Sequence, residues 1–416
     1  MQPASQTQAT INALWRIESP KLIARLARMT RDVGLAEELA QDALVTALEK
    51  WPESGVPENP GAWLMATAKN RALDTIRRNK MVERKHEELA PPVMERPKIE
   101  DALDDDVGDD MLRLIFTACH PVLSTEARLA LTLRLLGGLT VPEIARAFLS
   151  PEPTIAQRIV RAKKTLADAK VPFEVPRGDE RDERLSSVLE VLYLIFNEGY
   201  SATAGDDWMR PALCEDAMRL GRVLAGLQPN EPEVHGLVAL MEIQASRAKA
   251  RTGPNGEAIL LLDQDRSRWD WTLIGHGLAA LERALALGGN GPYVVQAAIA
   301  ACHARARRAE DTNWAMIVQL YNALLELVPS PVIELNRAVA VSMAEGPAAA
   351  LAVVDELRKE PALESYYLLY GVRADLLIKL GRNAEAIPEL ERAAALTKNE
   401  RERAVLRERI RKISTS

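Results

Sequence analysis

The sequence predicts an all-α protein, because apolar residues recur at intervals of three and four along most of its 416 residues. No alternating pattern typical of β-strands persists. Proline-containing breaks at 51–60, 90–110 and 171–181 divide the helical stretches. The predicted organisation is a small helical bundle at 10–80, an acidic linker at 81–110, a helix-turn-helix domain at 111–170 and a helical-repeat domain at 183–416.

Charge is distributed unevenly along the chain. The formal net charge of −6 argues against a nucleic-acid partner when it is taken as a whole. However, residues 111–170 hold 9 Lys/Arg and 4 Asp/Glu, whereas residues 81–110 hold 4 Lys/Arg and 11 Asp/Glu. Local field matters more than the total, so the basic segment remains compatible with DNA binding.

Several function classes lack support. The N-terminus is polar and no apolar run is long enough to span a bilayer, so we expect a cytoplasmic protein with no membrane partner. The three cysteines are scattered and indicate buried thiols, and no second ligand pair at zinc-finger spacing accompanies Cys119–His120 or Cys302–His303. We expect no metal, cofactor or catalytic residue, since no nucleophile with its base and no phosphate loop is visible.

The stretch 139–166 has the pattern of two helices separated by a sharp turn. Thr140 and Glu143 form a predicted capping box, and a turn follows at 150–153. From 154 onward, one face carries Ile155, Ile159, Ala162 and Leu166, and these residues should pack inward. The opposite face is basic and is typical of a helix presented to DNA; a solvated basic surface is the alternative. That face carries Gln157, Arg158, Arg161, Lys163 and Lys164.

Two amphipathic helices are predicted in the first segment. The first covers 34–50, and the second begins after Pro60. One face of the second helix places an aromatic residue before amide and basic groups: Trp63, Thr67, Asn70, Asp74, Arg77 and Arg78. This order suits melted DNA, because rings stack on bases and cations neutralise phosphates. The alternative is that Trp63 belongs to the core.

The third segment shows weak self-similarity. Residues 336–352 and 372–386 both read as Arg-Ala followed by a glycine and an alanine-containing helix, at an offset of 35 or 36 residues. Paired helices at this period are the mark of tetratricopeptide-like repeats, in which each hairpin buries its face against its neighbours.

The chain resembles bacterial sigma factors of the sigma-70 family in several of these segments. GLAEELAQDALVTALEKW at 34–51 is similar to their second conserved region, and WLMATAKNRALDTIRR at 63–78 to the promoter-melting helix that follows. Their fourth conserved region is similar to GLTVPEIARAF at 138–148 and to PTIAQRIVRAKK at 153–164. Two such domains with little between them resemble the extracytoplasmic-function group. Three segments of the C-terminal part resemble the subgroup that carries a C-terminal tetratricopeptide-like extension: LYLIFNEGYSA, LLDQDRSRWDW and PSPVIELNRAVA.

The resemblance implies two partners, core RNA polymerase and promoter DNA. Polymerase contacts would come from Glu38, Gln41 and Asp42 on the clamp of the largest subunit, and from the helix with Leu131, Leu133 and Leu135 at the flap. The −10 element would meet Trp63, Asn70, Arg71, Arg77 and Arg78, with a flipped base captured by the loop 51–60. The −35 element would meet Thr154, Gln157, Arg158 and Arg161, with Lys163 and Lys164 on phosphates.

Two features depart from the family pattern or leave it open. Pro151 stands where many relatives place a capping serine, and Pro153 follows it. Proline is tolerated in a first helical turn, so we expect the second helix to form. The acidic run at 100–110 either stays solvated or imitates nucleic acid in a polymerase channel.

The C-terminal segment is expected to regulate the factor in cis, because its tether makes the effective concentration high. The polar and aromatic residues that could form a regulatory site are Asn197, Glu198, Tyr200, Asp263, Asp265, Arg266, Arg268, Trp269 and Trp271. They could bind a protein or small-molecule ligand, or they could hold helices together by hydrogen bonds and buried ion pairs.

Two readings from other classes remain. An enzyme is disfavoured by the lack of a catalytic constellation. An operator-binding helix-turn-helix regulator with a helical sensor would need paired half-sites, whereas this chain carries two different DNA-facing helices.

Overall fold

The computed structural model describes residues 4–87, 107–148, 150–200, 210–253, 259–397 and 400–414. Within these ranges the chain folds into helices without a β-strand, which confirms the all-α prediction. None of the described helices is both long and apolar enough to cross a bilayer. The chain divides into two compact units, residues 1–194 and 195–416.

The first unit begins with three long helices, which we call the N-terminal group. They are α1 (Ala4–Thr30), α2 (Val33–Ser54) and α3 (Pro60–Glu87). The Asp32 carboxylate caps α2 by accepting hydrogen bonds from the backbone N–H groups of Gly34 and Leu35. The helix ends at Gly55, whose φ of +81° suits a residue without a side chain. The predicted loop at 51–60 was therefore too long, because α2 continues through Trp51 to Ser54.

Four further helices form what we call the helix-turn-helix group. They are α4 (Val107–Ala118), α5 (Thr125–Leu135), α6 (Val141–Ala147) and α7 (Glu152–Asp168). The predicted capping box at the start of α6 is present, because the Thr140 side chain accepts from the backbone of Glu143 and the Glu143 side chain accepts from the backbone of Thr140. Pro151 occupies the N-cap of α7 without a side-chain cap, and Pro153 lies in its first turn. The predicted second helix thus forms, two residues earlier than expected.

Helix α8 (Asp179–Tyr200) follows, and its first half packs on the helix-turn-helix group. The Ser187 hydroxyl donates to the main-chain oxygen of Cys119 at 2.7 Å. The Arg184 guanidinium donates to the main-chain oxygen of Phe116 at 3.3 Å. The sequence placed the start of the third domain at 183, within this helix; the proposed domain limits remain predictions. Of the predicted linker 81–110, residues 88–106 lie outside the described residues.

The second unit is built from antiparallel helix pairs. Its helices are α9 (Pro211–Leu227), α10 (Pro232–Ala245), α11 (Trp271–Ala286), α12 (Pro292–Arg305), α13 (Trp314–Leu327), α14 (Pro331–Ala344), α15 (Pro347–Leu357), α16 (Tyr367–Lys379), α17 (Asn383–Leu396) and α18 (Glu400–Ser414). The pairs α14/α15 and α16/α17 begin 36 residues apart, which matches the period read from the sequence. Their turns contain Gly346 and Gly381, both at positive φ.

Candidate nucleic-acid interface

Helix α7 separates an apolar face from a polar one, as its sequence predicted. Ile155, Ile159, Ala162 and Leu166 are buried against the rest of the helix-turn-helix group. The opposite face exposes Thr154, Gln157, Arg161 and Lys164, with Arg158 half-buried beside them. Thr154, Gln157, Arg158 and Arg161 of this face line a groove of about 340 Å³ together with residues 122–124 and Ala127. The amide and guanidinium groups on this face can donate hydrogen bonds to acceptors such as those on base edges.

Lys163 differs from its neighbours on α7. Its ammonium group forms an ion pair with the carboxylate of Glu37 on α2, and only 19% of its side chain is exposed. In this conformation Lys163 therefore faces protein and is not part of the solvent-exposed basic face. Glu37 is an acidic residue that the sequence pattern did not single out.

The predicted melted-DNA face of α3 is built on an aromatic pair. Trp63 is half-buried and meets Trp51 edge to face, with ring centroids 5.3 Å apart. Trp51 is fully buried and supports Trp63 from beneath. Further along α3, Asn70 and Arg77 are exposed, and the Arg78 side chain lies outside the described residues. Trp51 supports this site, and sequence reasoning had placed it in the loop.

Arg71 lies between α3 and α2. Its guanidinium donates to the Thr46 hydroxyl at 2.9 Å and pairs with the Asp42 carboxylate at 3.1 Å. The structure thus brings together a residue predicted for −10 DNA and one predicted for polymerase. In this conformation Arg71 connects the two helices.

The predicted polymerase-binding residues fall into two groups. Glu38 and Asp42 are exposed on α2, and Gln41 is half-buried. By contrast, Leu131, Leu133 and Leu135 are fully buried in α5. Their side chains form the core of the helix-turn-helix group and offer no surface to a partner in this conformation.

Arg266 is the centre of the buried part of the predicted regulatory site. Its guanidinium donates to the main-chain oxygens of His303, at 2.6 Å, and Ala306, and to the Thr312 hydroxyl at 3.3 Å. Helix α12 ends at Arg305, so Arg266 satisfies carbonyl groups that the helix leaves without partners. Trp269, also buried, packs its ring 4.8 Å from the guanidinium. Arg266 and Trp269 therefore hold helices together.

The other predicted residues of this site are dispersed. Asp263, Arg268 and Trp271 are exposed, and the exposed Asp265 caps the short helical turn at Arg266–Arg268 by accepting from Ser267. At the end of α8, Asn197 and Glu198 are half-buried, and Glu198 pairs with Arg210. The Tyr200 ring lies 3.8 Å from the Arg251 guanidinium and 5.9 Å from that of Arg247. For several of the nine residues, these contacts fit the alternative in which the side chains hold helices together.

His303 is a buried titratable group near Arg266, which the sequence analysis considered only as a metal ligand beside Cys302. Burial, together with the charges of Arg247 and Arg266, lowers its pKa from 6.5 to about 4. The folded protein keeps His303 neutral, whereas the unfolded chain binds a proton near pH 6.5. Stability should therefore fall as the pH falls from 6.5 towards 4, by up to about 1.4 kcal/mol per pH unit from this residue.

The variant His303→Gln should weaken this dependence, because glutamine does not titrate. The melting temperature of the variant should fall less steeply than that of the parent between pH 6.5 and pH 4, as measured by circular dichroism. His276→Gln, at an exposed position on α11, controls for loss of an imidazole. Equal slopes for parent and His303→Gln would contradict the assignment.

Metal ligands do not cluster in the part of the chain that the structure describes: no three His, Cys, Asp or Glu side chains there could hold an ion. All three cysteines are free thiols. Burial raises the pKa of the Cys119 thiol to about 11, as expected for a packed side chain.

Comparisons with known proteins match three parts of the chain to described families. The family description "Sigma-70 region 2" matches residues 14–81, and "Sigma-70, region 4" matches residues 113–166. Residues 184–285 match a "Family of unknown function (DUF6596)". The chain is also 46% identical over 391 residues to the uncharacterized protein R00370 of Rhizobium meliloti (strain 1021), covering 93% of this chain and 92% of the relative. Helices α3 and α7 lie largely in these two matched regions, so the chain carries regions 2 and 4 of the sigma-70 family of RNA polymerase sigma factors.

Proposed function

We propose that this sigma factor binds core RNA polymerase and directs initiation by reading two separate promoter elements, in the manner of the extracytoplasmic-function group. One observation carries the proposal: the chain exposes polar and basic side chains on two different helices, α3 and α7, each of which overlaps a matched sigma-70 region. A regulator that binds only duplex operators does not need the exposed series of aromatic, amide and basic groups on α3, because that series suits melted DNA.

In this proposal α7 enters the major groove of the −35 element. Arg158 and Arg161 can donate paired hydrogen bonds to guanine, and Gln157 can do the same with adenine. Thr154 and Lys164 lie at the edges of the same exposed face and suit phosphate contacts. The groove between α7 and the start of α5 leaves this face open to a partner.

The −10 element would be held by α3. Trp63 is half-buried and rests on Trp51, so its position is fixed without a cost in side-chain ordering when DNA binds. An ordered ring can stack on a base at the edge of the melted segment. Asn70 and Arg77 continue the same side of the helix toward its C-terminus, where they can follow the strand.

Core polymerase would dock on α2 through Glu38, Gln41 and Asp42. The second unit, with its tetratricopeptide-like helix pairs, would regulate the factor in cis. Supporting this assignment, α14/α15 and α16/α17 repeat at 36 residues, and stacked helix pairs form extended binding surfaces. A protein or small-molecule ligand of that unit would then modulate the output of the promoter-binding part.

The test is transcription of fragmented genomic DNA by core polymerase with and without the purified chain, with mapping of RNA 5′ ends. We expect new start sites that share two short upstream elements at a fixed separation. Binding to duplex fragments without any new start site would instead favour the operator-binding regulator.

A further inference from the structure

A cavity of about 1230 Å³ lies in the first unit, beside the C-terminal ends of α1 and α7. We call it the basic cavity. Its walls come from α1, the start of α2, α4, α7 and the segment 171–177 that leads to α8. Pockets for small ligands typically measure about 300–1,000 Å³. The basic cavity is therefore large enough for a ligand of nucleotide size.

Cationic side chains predominate where the helices line this cavity. Helices α1, α4 and α7, with the residues just after α1 and α7, contribute Arg28, Arg31, Arg113, Lys163 and Lys170. Around the same helix ends the lining holds two carboxylates, Asp32 and Asp109. Both are engaged, since Asp32 caps α2 and Asp109 lies 3.6 Å from the Arg113 guanidinium. The remaining charged lining residues, within 174–180, are of both signs. An anion entering the cavity thus meets mainly positive charge.

Two buried carboxylates hold part of the cationic wall in position. Asp110 is fully buried, and its oxygens lie 3.4 Å from the Arg28 guanidinium and 2.7 Å from the Arg113 guanidinium. Glu37, which is 3% exposed, forms an ion pair with the Lys163 ammonium. These cations are therefore ordered before a ligand arrives, which lowers the entropic cost of binding one.

Arg31 and Lys170 are placed at the cavity by an uncommon backbone conformation. Their φ angles are +55° and +51°, and no other non-glycine residue in the described ranges has a positive φ. Glycine is usual where a helix ends in this way, because a side chain costs free energy there. A cation offsets that cost only in part by complementing the helix dipole. Both side chains are exposed, and neither forms an ion pair with a described residue.

An apolar patch adjoins the cations. The Phe173 ring is half-buried, with Val171 and Val175 on the same segment and the buried Leu166 on α7. The backbone N–H of Val171 donates to the Leu166 oxygen at 3.0 Å and fixes the start of this segment. An aromatic ring in such a setting can stack on a planar base. The cavity thus suits a ligand that carries both phosphates and a planar ring.

We propose that the basic cavity binds a nucleotide with two or more phosphates. Arg31 and Lys170 hold the phosphates, and the base stacks on Phe173. The site is separate from the groove on the DNA-facing side of α7, because the two share no lining residue. The proposal is independent of the proposed function, since neither polymerase nor a promoter takes part in the binding.

Binding is measured on the full chain by isothermal titration calorimetry with four probes: ATP, GTP, inorganic pyrophosphate and adenosine. The variants are Arg31→Gly, Lys170→Gly and Phe173→Leu. Glycine removes each charge and readily adopts the positive φ, so the fold should be kept. Lys50→Ala, which removes an exposed cation near the end of α2, is the control. Melting temperatures from circular dichroism check that each variant folds.

We expect ATP or GTP to bind the parent and Lys50→Ala with equal affinity. Pyrophosphate should bind more weakly and adenosine not measurably. Arg31→Gly and Lys170→Gly should each weaken nucleotide binding roughly tenfold, because each removes charge-assisted hydrogen bonds to phosphate. Phe173→Leu should weaken nucleotide binding while leaving pyrophosphate binding unchanged.

Three outcomes would overturn the proposal. The first is that neither nucleotide binds the parent. The second is that Lys50→Ala loses as much affinity as Lys170→Gly, since binding would then follow overall charge. The third is that folded Arg31→Gly and Lys170→Gly bind nucleotide as the parent does, which would give both residues a purely structural role. None of these results bears on promoter recognition, which is tested separately by transcription.

Discussion

Replacing Arg266 with alanine is expected to destabilise the second unit by about 3 kcal/mol or more, because each buried acceptor left without its donor costs about 1–3 kcal/mol. The guanidinium satisfies the main-chain oxygens of His303 and Ala306 and the Thr312 hydroxyl, and alanine leaves all three without that donor. Trp269 also loses the planar group against which it packs. Urea unfolding would measure the change in the free energy of unfolding, and hydrogen exchange of the backbone amides of α12 would locate it.

Arg268→Ala is the matched control, because Arg268 lies two residues away in the same turn and is exposed. Its effect should stay within about 0.5 kcal/mol. If both variants unfold at the same urea concentration as the parent, Arg266 is not a structural residue and the ligand alternative for this cluster regains support. Should Arg266→Ala also change promoter output while Arg268→Ala does not, regulation by the second unit in cis gains direct support.

Replacing Arg161 with alanine should strongly reduce dependence on the −35 element. A paired contact to a base contributes about 1–3 kcal/mol, so initiation at a promoter with an intact −35 element should fall roughly 5- to 150-fold at limiting factor. Arg161 is exposed on α7 and lies outside the buried face of the helix, so core-polymerase binding should be retained. Run-off transcription on templates with intact and scrambled −35 elements measures the first effect, and co-purification with core polymerase the second.

Arg177→Ala removes the same charge from an exposed position outside α7 and is the control. It should transcribe as the parent does. Loss of polymerase binding in Arg161→Ala to the same degree as loss of transcription would assign Arg161 a structural role and contradict its placement at −35.

Local patterns in the sequence were sufficient to predict the helices that carry the candidate site. The capping box of Thr140 and Glu143 fixed the start of α6 within a few residues, because its hydrogen bonds are local. The spacing of Ile155, Ile159 and Ala162 correctly separated the buried face of α7 from the exposed one. The 36-residue period likewise corresponds to successive helix pairs.

Contacts between distant segments were not predictable in this way. The periodicity of α7 places Lys163 outside the apolar stripe, but it cannot show that Glu37 lies opposite. In α5, Leu131, Leu133 and Leu135 do not follow one helical face, yet all are buried because neighbouring helices surround them. Pro52 suggested a break after Trp51, whereas α2 tolerates it in its last turn.

We propose that core polymerase holds two DNA-binding helices of this chain at a fixed separation on a promoter. The most direct test is transcription by the reconstituted holoenzyme from promoters whose spacer between the two elements is varied by one to about five base pairs, half a helical turn. We expect a sharp optimum, with output lost when the −35 element is turned to the opposite side of the duplex. Equal output at every spacing would contradict it, because a single contact would then suffice.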